Sequence, residues 1–77
     1  MITSFLTVVS GVLNIPIEQL NEQTGPATLG EWTSLKHIQL VAALEDAYHV
    51  HFSPREVRSV RTVGGFHDLL SSKGIAS

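Results

Sequence analysis

Thr33-Ser34-Leu35-Lys36-His37-Ile38-Gln39-Leu40-Val41-Ala42-Ala43-Leu44-Glu45-Asp46-Ala47-Tyr48 is the stretch on which the fold turns. Neither glycine nor proline interrupts it, and most of its residues are good helix formers. The hydroxyls of Thr33 and Ser34 can each accept from the free N–H groups at a helix start. A helix over residues 34–48 follows. Its apolar residues lie in two stripes, with Leu40, Val41, Leu44 and Tyr48 on one side and Leu35, Ile38 and Ala42 on another. Packing against one core needs only the first stripe, so the second is either more core or a contact surface for partners.

Upstream, Pro16, Gly25, Pro26 and Gly30 punctuate a polar stretch, so residues 14–33 read as a loop from which only Ile15, Ile17, Leu20 and Leu29 dip into a core. Loops of that length inside a compact domain are usually functional, which directs attention to its exit at Ser34. Before it, Ile2, Phe5, Leu6, Val9, Val12 and Leu13 recur at helical spacing, predicting an amphipathic helix over about residues 2–13, its last turn weakened by Gly11. Downstream, His49-Val50-His51-Phe52 alternates like a strand but has no candidate to pair with, and reads as extended loop. Ser53-Pro54-Arg55-Glu56 has Ser as N-cap, Pro at the first helical position and Glu at the third, opening a short helix over about 54–60. Thr62 caps a last helix over about 63–72, with Val63, Phe66, Leu69 and Leu70 at helical spacing and Lys73-Gly74 as its stop. The predicted fold class is all-α, one domain of three main helices and one short helix, with the long loop between the first two.

At 77 residues the chain can bury only about 60% of the surface that it exposes unfolded, so its core is small. A net charge of −2 argues against nucleic acid or an anionic membrane as partner, because those surfaces demand clustered positive charge. Cysteine is absent, which removes disulfides, thiolate metal sites and cysteine nucleophiles together. No apolar run approaches a membrane span, and the N-terminal stretch has no basic segment of the signal-peptide kind; a cytoplasmic location is the expectation.

A hydroxyl at a helix start is most often a cap, and that is the plain reading of Ser34. The alternative is an attachment point for an anionic group, since the first-turn N–H groups and the helix dipole favour negative charge there. His37 lies one turn on, but no carboxylate is evident to orient it as a base, and packing against Trp32 or the loop is the better reading. Trp32 itself either shields the neighbourhood of Ser34 or contacts partners, or else plugs the loop onto the bundle. His49, His51 and His67 match no zinc-ligand spacing, so no metal site is expected. Arg55, Arg58 and Arg61, three apart, form a basic stripe read as a solvated face of the third helix or a surface for an acidic partner.

From Ser34 to Leu70 the chain resembles the acyl carrier proteins of fatty-acid and polyketide synthesis, without an insertion. Thr33-Ser34-Leu35 stands where that family carries Asp-Ser-Leu, and Leu40-Val41-Ala42-Ala43-Leu44-Glu45-Asp46 stands where it shows an apolar run ending in acids. Trp32-Thr33-Ser34-Leu35-Lys36-His37 is similar to a subgroup of discrete carriers with a Trp-Asp-Ser-Leu-x-His signature. The resemblance implies an acyl-carrier-like bundle that is not an enzyme, with covalent 4'-phosphopantetheine on Ser34 holding acyl intermediates as thioesters. It implies a docking surface of Leu35, Ile38, Ala42, Glu45, Arg55 and Arg58 for a phosphopantetheinyl transferase and for acyl-loading and acyl-processing enzymes, and a monomer. An aminoacyl or peptidyl carrier, or an unmodified helical interaction module, are the alternatives. Two departures stand out. Thr33 replaces the usual Asp but keeps the ability to cap, and Lys36, His37 and the arginines weaken the acidic field expected around the second and third helices, which suggests dedicated partners.

Overall fold

The computed structural model describes residues 3–75, so Ile2, expected to open the first helix, lies outside them. Among these residues the regular elements are helices: α1 (Thr3–Leu13), α2 (Ser34–Tyr48), α3 (Pro54–Ser59) and α4 (Val63–Ser72), with a 3-10 turn at Ile17–Gln19 inside the long loop. The expected order holds. The third helix ends one residue early, because Val60 leaves helical geometry and acts as C-cap, so Arg61 belongs to the α3–α4 connector and not to the helix.

Each helix buries one stripe. Phe5, Val9 and Leu13 of α1, Leu40, Val41 and Leu44 of α2, and Val63, Phe66 and Leu70 of α4 form the centre of one core. The second stripe of α2 faces solvent: Leu35 and Ile38 are each 62% exposed, and Ala42 is exposed beside them. A surface leucine or isoleucine fully buried would contribute about 1.5–3 kcal/mol, so leaving two adjacent ones outside the core is a real forfeit of stability.

Local chemistry sets the helix ends. Thr33 Oγ1 accepts from the Lys36 N–H at 3.2 Å. Ser53 and Glu56 make the reciprocal capping box, and Thr62 Oγ1 accepts from the Gly65 N–H at 2.9 Å. The first two N–H groups of α4 are satisfied from afar, Val63 by the Thr24 carbonyl at 2.8 Å and Gly64 by the Glu22 carbonyl at 2.9 Å. This clamps the loop to α4. It requires close backbone approach, for a Cβ at Gly25 would collide with the Arg61 carbonyl. Within the loop, turns closed by Thr24→Asn21, Leu29→Gly25 and Trp32→Leu29 backbone bonds deliver the chain to α2, while Ile15, Leu20, Thr24 and Trp32 are buried. No helix among the described residues is long and apolar enough to cross a membrane.

Candidate functional site

Ser34 is the first helical residue of α2, immediately after the Thr33 cap. The Thr33 hydroxyl serves the Lys36 amide, leaving Ser34 free of the capping duty. The Ser34 side chain is exposed and makes no hydrogen bond among the described residues. The Ser34 and Leu35 N–H groups are likewise without intrachain acceptors, as the first turn of any helix leaves them. No acidic residue occupies that turn. The site is therefore a free hydroxyl set on the positive end of a 15-residue helix, an arrangement that fits a phosphodiester on Oγ, since an anion there gains about 0.3–1 kcal/mol when exposed.

Directly beneath it lies an aromatic assembly. The Trp32 indole N–H, which can only donate, reaches His37 Nδ1 at 3.1 Å. The imidazole proton is thereby placed on Nε2, which donates to the Val57 carbonyl of α3 at 2.8 Å. His37 thus ties the end of the loop, α2 and α3 together. Trp32 is 3% exposed and stacks on Phe66 with ring centroids 6.2 Å apart and planes 15° from parallel, and His37 sits 5.4 Å from the same ring. Trp32 plugs the loop onto the bundle, and it also lines a depression that Ser34 borders. His37 packs against Trp32, as the sequence reading favoured, and has no carboxylate partner among the described residues.

Between this assembly and α3 runs a cleft of about 410 Å³ whose lining includes Ser34, Ile38, Val57, Arg58 and Arg61. Three of the residues expected to bear the arm or to dock partners, Ser34, Ile38 and Arg58, therefore share one depression. Leu35 and Ala42 lie exposed on α2, and Arg55 is exposed at the start of α3, all outside the cleft lining. Glu45 is engaged internally: Oε2 accepts from the Phe52 N–H at 2.8 Å and lies 3.3 Å from His51 Nδ1, fastening the α2–α3 loop. Lys36 is also occupied. Its Nζ donates to the Val12 carbonyl at 3.1 Å and so caps the C-terminal end of α1. Its charge is less available to an approaching protein than its sequence position suggests.

The remaining charges divide by location. Glu56 Oε1 accepts from the Ser53 N–H at 2.8 Å and faces Lys73 Nζ at 3.1 Å. The Ser53 amide first, and Lys73 second, hold its carboxyl below the ordinary carboxylate range. Arg55, Arg58 and Arg61 are exposed, with no ion pair to any of them among the described residues. No group of three or more His, Asp or Glu side chains among the described residues is placed to hold a metal ion. The sequence reading missed the contacts of Lys36 and Glu45. One joins residues 24 apart in sequence and the other depends on a loop path, and no local signal announces them.

The family model described as the phosphopantetheine attachment site matches residues 4–70. No curated protein matches the chain in sequence. A solved structure from Mycobacterium tuberculosis, described as an acyl carrier protein, aligns with a TM-score of 0.80 over 91% of this chain and 93% of that one, at 20% sequence identity. The shared fold is the one that the order of helices predicts. With 67 of its 77 residues spanned by the family model, the chain belongs to the phosphopantetheine attachment site family, carrier proteins rather than enzymes, with covalent 4'-phosphopantetheine as their cofactor.

Proposed function

We propose that Ser34 is the attachment point and that the protein carries acyl intermediates in fatty-acid-like or polyketide-type biosynthesis. The observation that carries this reading is the division of labour at the start of α2, where Thr33 takes the cap and Ser34 is left exposed, unbonded and at the positive end of the helix. During modification Ser34 Oγ forms the new P–O bond to a phosphopantetheinyl donor, its proton passes to a base of the transferase, and the donor's nucleotide leaves on the broken P–O bond. Once attached, the arm supplies a terminal thiol that holds the acyl group as a thioester. The chain has no cysteine to compete for that group. The partner surface consists of Leu35, Ile38 and Ala42 on α2 together with Arg55 and Arg58 on α3, an apolar centre with a basic margin, the arrangement that lets charge steer encounter while apolar contact holds the complex. Glu45 lies at the edge of that surface, with its carboxylate already bound to the loop.

The test is intact mass after co-expression with a broad-specificity phosphopantetheinyl transferase. Wild type is expected to gain the mass of one phosphopantetheinyl group and Ser34→Ala none, with both proteins showing the same helical circular dichroism. A wild type without mass gain, or a gain retained by Ser34→Ala, refutes the assignment.

A further inference from the structure

The cleft beside Ser34 and the closure beneath it have a consequence for where the arm and its cargo reside. Ser34 is itself part of the lining, so a group tethered there begins inside the cleft. Ile38 and Val57 give the cleft apolar walls, and Arg58 and Arg61 bring two cationic groups to it. A phosphodiester followed by an amide-linked chain matches that sequence of surfaces, anion to guanidinium and alkyl segments to the aliphatic walls. The bundle interior, by contrast, is shut on this side. Trp32 fills the space above Phe66, and His37 fastens it through Nδ1 while holding the Val57 carbonyl of α3 through Nε2. Admitting an alkyl chain between α2 and α3 would break both hydrogen bonds and displace an indole from a close-packed core.

Resting on the attachment at Ser34, we propose that the cleft seats the phosphopantetheine arm, with Arg58 and Arg61 taking its phosphodiester, and that the Trp32–His37 pair bars the acyl group from the core. Cargo rides outside the bundle. The suited class is a short or polar acyl group, because a long alkyl chain finds no interior burial here.

The experiment uses nuclear magnetic resonance on apo protein, on holo protein verified by intact mass, and on holo protein loaded with butanoyl or dodecanoyl thioester. The single tryptophan gives one indole N–H signal, an unambiguous reporter for Trp32. Modification is expected to shift the Val57, Arg58 and Arg61 amides, and Arg58→Ala with Arg61→Ala is expected to at least halve the Val57 shift in the holo form. Lengthening the acyl group is expected to leave the Leu44 and Leu70 methyls and the indole N–H where they are in the holo form. Methyl and indole shifts that grow with chain length overturn the closed interior, and a holo protein whose Val57 shift survives loss of both arginines overturns their role. No mass gain at all refutes the attachment reading on which the proposal rests, an outcome separate from either shift result.

Discussion

Replacing His37 with alanine removes the acceptor of the Trp32 indole N–H and the donor to the Val57 carbonyl, contacts of 3.1 and 2.8 Å. The first loss strands a donor on a side chain that is 3% exposed, at about 1–3 kcal/mol. The second frees a carbonyl that water can reach at the cleft, at about 0.5–1 kcal/mol. Lost packing against Phe66 adds a fraction of a kcal/mol, so His37→Ala should cost about 2–4 kcal/mol, a large share of the roughly 5–15 kcal/mol total of a small domain. Asparagine places its Oδ1 where Nδ1 stood, and His37→Asn should therefore keep the indole bond and cost only about 1 kcal/mol. Urea unfolding followed by far-ultraviolet circular dichroism measures both values, and the indole N–H resonance reports whether its hydrogen bond survives. Variants within about 0.5 kcal/mol of wild type, or Asn as costly as Ala, would refute the idea that His37 is held for its acceptor.

Three further outcomes are expected. Glu56 has a folded pKa below its ordinary value, so its contribution to stability is complete above the ordinary carboxylate range and is lost as pH falls through the folded pKa; acid titration of wild type should show a steeper decline there than Glu56→Gln, whose side chain cannot titrate. Lys36→Met should cost about 0.5–1 kcal/mol and speed amide exchange in the last turn of α1, because the Val12 carbonyl loses its cationic donor; unchanged exchange would show that the contact carries no weight. His49 closes α2 with φ of +54°, a left-handed conformation that a side chain resists, and His49→Gly should raise stability by roughly 0.5–1 kcal/mol in thermal melts.

Much of this protein was legible from local pattern. Helical pattern placed the three longer helices and a start signal placed the short one, with Thr33, Ser53 with Glu56, and Thr62 announcing three of the starts, because a cap is made between residues three apart and needs no knowledge of the rest of the chain. The position of Ser34 at the start of α2 was legible for the same reason. Its freedom was not, since Thr33 and Ser34 were equal candidates for the cap until the backbone showed which hydroxyl faces the Lys36 amide.

The rest depended on elements distant in sequence. Whether Leu35 and Ile38 were core or surface could not be decided from their spacing, because a stripe becomes interior only when another helix covers it, and here α1 and α4 cover the other face. Arg61 looked like part of the α3 stripe until Val60 ended the helix. Lys36 and Glu45 read as surface charges, yet one reaches a carbonyl 24 residues away and the other an amide across a turn. Sequence by itself determined the helices and the place of Ser34 at the start of α2, since those rest on neighbours within a turn or two. Tertiary structure alone decided which charges remain free, that Trp32 is a plug, and that a cleft opens beside Ser34, because each depends on which surfaces the loop and α3 bring against α2.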